Sequence, residues 1–187
     1  MTGEGSDPNR PGQDARENSW ATGTEPEVNS VYQRMIAVLP ETAGHVANLA
    51  QGGAPATALV SQAKSALAIL PNPKLVLIQT MDSDMRCDGS DPGNIEAFGT
   101  AIAKVLQVIV SASPNSHIVL VSQTGRPATF ATAVAGNPSA KARFLGSGIC
   151  DLFDLDGTLN PEHIAALTAI IESDEAEQSR VCGTVPQ

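Results

Sequence analysis

The chain has 187 residues, 42% of them apolar, and carries a net charge of −9 from 11 basic and 20 acidic side chains. That length and apolar content fit one domain with a real core. An acidic balance without any Lys/Arg cluster excludes a phosphate-backbone partner, because such binding draws its affinity from neutralising phosphates, and nucleic acid is set aside.

Residues 1–27, opening "MTGEGSDPNRPGQDARENS", are polar, rich in Gly, Pro and Asn, and hold no apolar stretch of the kind a signal peptide carries. They read as a loop-like N-terminal segment, long enough to be either functional or disordered. The domain is expected over residues 28–178, with a tail at 179–187. A first helical stripe runs through Val28, Val31, Tyr32, Met35 and Leu39. "HVANLA" at 45–50 is the first strand candidate, and a second stripe follows through Leu59, Ala63, Ala66, Leu67 and Leu70. "KLVLIQT" at 74–80 is the next strand, then a long helical segment from Ile95 to Val110, then "HIVLVSQ" at 117–123. "GRPATF" and "AGNPSAK" mark a turn and a broken helix, and "ICDLFDL" at 149–155 is the fourth strand candidate. Asn160 as N-cap and Pro161 at the first helical position start a last helix with a buried stripe of Ile164, Leu167 and Ile171. Strands alternating with helices imply βαβ crossovers and a parallel sheet covered on both faces, hence an α/β protein. No apolar run reaches the ~18 residues that cross a bilayer, so no transmembrane segment is expected.

Cys87, Cys150 and Cys182 lack metal-type spacing, and no other Cys/His grouping completes a zinc site. Neither a metal nor another cofactor is expected. The cysteines stand as thiols or as one bonded pair in an oxidising compartment.

Ligands of an open α/β sheet bind beyond the carboxyl ends of its strands. Those ends lead into "NLAQGGAPA" with Gly52 and Gly53, "QTMDSDMRCDG", "SQTGRP" and "DLDGTLNPEH". A "GG" loop, then a polar "DSD" loop, then a late "NPEH" resembles the SGNH (GDSL-type) esterase and lipase family over about residues 44–175. The resemblance implies a three-layer α/β/α, flavodoxin-like fold and a serine ester hydrolase acting on a small-molecule ester. A hydroxyl attacks the ester carbonyl, a histidine takes the proton, and hydrogen-bond donors meet the oxyanion. By position the histidine is His163, and the oxyanion donors are Gly53 or Gly52 with Ser83, which stands where the family's G-x-N-D block has asparagine. That block is here Met81-Asp82-Ser83-Asp84. The family's triad aspartate falls on Asn160, so the resemblance leaves the orienting of His163 to Asp156 or Asp154. Family members are often exported, which implies a secreted protein and makes Cys87–Cys150 the disulfide to look for. His45 and His117 lead into strands at the opposite end of the sheet and are read as exposed structural residues.

The family's serine lies in a G-D-S sequence directly after a first β-strand, and neither is present in this chain. Ser6, in "EGSD", is the one serine near that place. The missing strand would lie between the strands at 45–50 and 74–80 in a sheet of order 2-1-3-4-5. The strands at 45–50 and 74–80 are therefore expected to be direct neighbours or to flank a gap, with no strand upstream of residue 28, and the chain to be inactive as an esterase by itself. Two further readings stand beside it. One is a non-catalytic SGNH-like binding protein. The other takes Asp154-Leu155-Asp156-Gly157-Thr158 as the nucleophile motif of a haloacid-dehalogenase-like phosphatase, although only 29 residues, none of them lysine, remain after Thr158 to complete such a site.

Overall fold

The structure, a computed structural model, describes residues 1–4, 6–123, 125–146 and 148–185. Helix α1, Val31–Val38, starts at a reciprocal cap: Gln33 N–H donates to Ser30 Oγ at 3.1 Å while Ser30 N–H donates to Gln33 Oε1 at 2.7 Å. It stops before Pro40, which cannot continue a helix. Helix α2, Leu59–Ile69, follows a single 3-10 turn at Ala56–Ala58 and ends before Pro71. Strand β1, Leu75–Gln79, leads into the long helix α3, Asp91–Ala112, and on to strand β2, His117–Val121. The two strands pair in parallel, Leu75 with His117 through Gln79 with Val121. Helices α4, Pro127–Ala135, and α5, Pro138–Lys141, make the broken helix, and α6, Pro161–Cys182, closes the fold.

The protein is thus mixed α/β, built on one parallel βαβ unit. Among the described residues the sheet has two strands, not the four that the apolar runs suggest. Residues 45–50 form no strand, and 149–155 contributes only isolated bridges, Phe153 with Leu145 in parallel and with Leu159 antiparallel. An apolar run becomes a strand only when a neighbour satisfies its ladder groups, and 45–50 has none beside it.

The main core lies where α2, α3 and α6 meet β1 and β2. Ile78 of β1 and Phe98, Ile102, Val105, Leu106 and Ile109 of α3 are among its buried members. A second cluster of Ala131, Val134, Leu152 and Phe153 packs under α6, and Leu167 touches both. Helix α3 is long and apolar enough to cross a membrane, which corrects the reading that no such segment exists. Its charged Asp91, Glu96 and Lys104 interrupt the apolar run in sequence. In this fold its apolar stripe is the core itself, a role that passes the same length and composition test.

The N-terminal segment is neither a strand nor a free tail among the described residues. Ala15 and Ala21 are buried, Asn48 Nδ2 donates to Thr22 Oγ1 at 2.6 Å, and Trp20 Nε1 donates to Gln79 Oε1 at 3.3 Å. Gly3 makes this packing possible: its φ is +71°, and a Cβ there would stand 2.0 Å from the carbonyl oxygen of Ala15.

Candidate functional site

His163 is built from its cap outward. Asn160 Oδ1 accepts the His163 N–H at 2.9 Å, and Pro161 occupies the first turn, as the sequence predicts. Asn160 is held in turn, its Nδ2 donating to Asp154 Oδ1 at 2.7 Å. The ring is oriented by a main-chain group: His163 Nδ1 lies 3.0 Å from the Asp151 carbonyl oxygen. With Nδ1–H donating there, Nε2 keeps its lone pair, the tautomer a general base requires. Neither carboxylate suggested for this task takes it. Asp156 is exposed and Oδ1 accepts from Thr158 N–H at 2.8 Å and Thr158 Oγ1 at 2.7 Å, contacts that hold its carboxyl below the usual range. Asp154 serves Asn160 instead.

The "DLDGT" string is a local turn. Asp154 N–H donates to Thr158 O at 2.9 Å, Gly157 takes φ +83°, and Leu155 is 76% exposed. It does not follow a named strand. Among the described residues no group of three or more His, Cys, Asp or Glu side chains is placed to hold a metal.

The oxyanion candidates lie elsewhere. Gly52 and Gly53 occupy a turn closed by Ala54 N–H to Gln51 O at 3.3 Å, and Gly53 needs its φ of +72° for that turn. Gly52 is backed by the Glu4 carboxylate, which stands 2.5 Å from where its Cβ would be. Ser83 is exposed in the loop after β1, and Met81, at the glycine position of the block, is buried with φ 153°, a region that favours glycine. Asp84 does the structural work of this loop. Both its oxygens accept from Ala56 N–H, at 3.0 and 2.9 Å, and burial pushes its carboxyl up. Ser6 Oγ donates to Gly3 O in an exposed turn.

The expected residues sit on different elements. Gly52, Gly53 and Ser83 gather around the carboxyl end of β1. Helix α6 reaches that level at Asp174, which feels the charges of Asp84 and Asp91, and at Gln178, whose Nε2 donates to Thr80 O at 3.5 Å. His163 is eleven residues earlier on α6, about 16 Å of helix at 1.5 Å per residue.

Three features escaped the sequence reading. The Asp151 carbonyl carries no sequence signal, since any residue supplies one. Asp174 and Gln178 did carry one, standing on the stripe of Ile164, Leu167, Ile171 and Val181 where apolar residues are expected. The third is a cleft of about 930 Å³ between β1 and residues 46–50, walled by α1, α2 and α3, with Met1 at its mouth. Its position is that of the anticipated gap.

The Cys87–Cys150 disulfide is present, with Cα atoms 5.4 Å apart, and Cys182 is free and exposed. It ties the loop after β1 to the segment that leads to His163. No family model, curated protein or solved structure matches the chain.

Proposed function

We propose that this chain is the histidine-bearing part of a serine ester hydrolase of the SGNH type, acting on a small carboxylic ester and without turnover in the absence of a nucleophile. The observation that carries the reading is the Nδ1 contact of His163 with the Asp151 carbonyl at 3.0 Å, which frees Nε2 to act as a base. A carbonyl orients the ring as an aspartate would but brings no full charge, so it stabilises the imidazolium less. Gly53, Gly52 and Ser83 are the oxyanion donors of this proposal, and Ser6, committed to Gly3, is not its nucleophile. The finer fold belongs to the same proposal: a three-layer, flavodoxin-like sheet in which a strand ending in G-D-S stands beside β1. Secretion fits the disulfide.

Hydrolysis of a short-chain nitrophenyl ester tests this. The chain alone is expected to be inert. Extended upstream by an apolar strand ending in G-D-S, it is expected to turn over, with His163→Ala costing about 10²–10⁴-fold and Asp154→Asn less than about tenfold. Hydrolysis of nitrophenyl phosphate with magnesium, abolished by Asp154→Asn, would replace the esterase with the phosphatase. Ser83 and Asn160, standing where the resemblance calls for asparagine and aspartate, favour a second reading, a non-catalytic binding protein. An extended chain that folds, binds ester and does not hydrolyse it would establish that reading instead.

A further inference from the structure

Strand β1 has two edges. One is paired with β2 throughout, and the other faces the cleft with no strand beside it among the described residues. Across the cleft, residues 46–50 form no strand. The carbonyls of Asn48 and Ala50 are taken by Arg16, at 2.9 and 3.3 Å. Open ladder groups in apolar surroundings cost free energy and template an added strand. Leu59, Ala63 and Leu67 of α2, Val105 and Ile109 of α3 and Met35 of α1 supply the apolar walls. An occupant must therefore offer backbone donors and acceptors along its edges and apolar side chains on its faces. An extended apolar peptide does both, and an aliphatic small molecule supplies only the second.

Charge marks the ends of the cleft. Lys74 stands at the amino end of β1, while Asp82 and Glu4 line the carboxyl end. The flanking segments run the same way: residues 46–50 lead toward Ala56, which is bonded to Asp84 beyond the carboxyl end of β1. A strand that continues the parallel β1–β2 pairing would bring its amino end to Lys74 and its carboxyl end to Asp82 and Glu4. β1 has five residues, about 17 Å at 3.3 Å per residue, which sets the length to be paired.

We propose that this cleft is an acceptor site for an extended apolar peptide in trans, which adds as a strand parallel to β1 with an acidic residue at its amino end and a basic residue at its carboxyl end. Such binding needs neither His163 nor a nucleophile, and because the ester reading seats a strand of the same polypeptide on this edge of β1, a chain extended by that strand should no longer take up the peptide.

Trp20, the only tryptophan, lines the cleft and donates to Gln79 of β1, so its emission reports occupancy. The probe is a peptide acetylated and amidated at its ends: one glutamate, five alternating valines and isoleucines, one lysine. Saturable change in Trp20 emission is expected. The same peptide N-methylated at alternate amides should bind at least about tenfold more weakly, the equivalent of one or two lost hydrogen bonds. The charge-reversed peptide, lysine first and glutamate last, should be weaker as well. Ala63→Phe, which fills the cleft, should abolish the signal while leaving the helical circular dichroism unchanged. Equal binding of the N-methylated peptide would make the cleft an apolar pocket and overturn the proposal. So would tighter binding of the reversed peptide, retention of binding by Ala63→Phe, or no binding at millimolar peptide.

Discussion

Replacing Asp174 by asparagine should stabilise the protein above pH 6 and leave it unchanged near pH 4. Asp174 is 6% exposed on the inner stripe of α6, and its carboxyl is pushed up from 3.8 to about 6, first by burial and then by the charges of Asp84 and Asp91. Asp91 is also buried, its oxygens accepting from Arg86 N–H at 2.7 Å and Cys87 N–H at 3.0 Å, so its charge is held in place. A raised carboxyl pKa means that the folded chain keeps a proton that the unfolded chain gives up. The folded state therefore carries no penalty below pH 3.8, acquires one as the pH rises, and bears all of it above about 6. The difference between 3.8 and about 6 converts to about 3 kcal/mol at most, which solvent reaching the rim of the trio reduces to about 2. Asparagine has the shape of the protonated acid and removes this penalty. Urea unfolding of both proteins at pH 4, 6 and 8, with the disulfide intact, measures it. Effects of pH on groups distant from Asp174 cancel in the difference between the two curves, and relief of Asp84 and Asp91 adds to the gain in the same direction. An advantage for Asp174→Asn that is equal at pH 4 and pH 8, or a loss at pH 8, would refute the assignment of Asp174 as a buried, charge-opposed carboxyl.

Cys87→Ser together with Cys150→Ser should lower stability by about 4 kcal/mol on chain-entropy grounds, since the bond closes a loop of sequence separation 63. Urea midpoints of the double variant and of the reduced natural protein should coincide. Two glycines separate conformational strain from collision. Gly12, with φ +69° and nothing within 4 Å of its Cβ position, should cost about 1–2 kcal/mol as alanine. Gly3→Ala should cost more, about 3 kcal/mol, because it adds a collision with the Ala15 backbone to the same φ penalty.

The helices were legible because their signals are local. Asn160 with Pro161 starts the last helix through groups a few residues apart, and the structure keeps that boundary; α1 begins at Val31 behind the Ser30–Gln33 cap, not at Val28, and α3 at Asp91, one turn before Ile95. The strands were less legible because pairing is not local. "HVANLA" and "ICDLFDL" have the composition of buried strands, yet a run of residues does not say whether a neighbour will stand 4.8 Å away to complete its ladder. The gap beside β1 could be anticipated from the order of strands; its apolar walls and charged ends depend on how α1, α2 and α3 close around it.

The candidate site shows the same division at finer scale. The turn of Gly52 and Gly53, the exposed Ser83 and the capped His163 each take the local form their neighbours dictate. Whether they converge depends on the height at which α6 meets the sheet. That height is set by contacts far along the helix: Ile171 and Val181 in the core, Glu177 against Gly99, and Gln178 at Thr80. His163 stands three turns of α6 before Asp174, and a shift of that size along the helix is invisible to a stripe, which repeats every turn and reads the same at each. The two polar interruptions of the stripe, Asp174 and Gln178, break this degeneracy, because an ionisable group on a buried face has few places to go. Asp174 at the level of Asp84 and Asp91, and Gln178 at Thr80, are thus the register marks the sequence carries, and the titration of Asp174 measures whether α6 sits where the structure puts it.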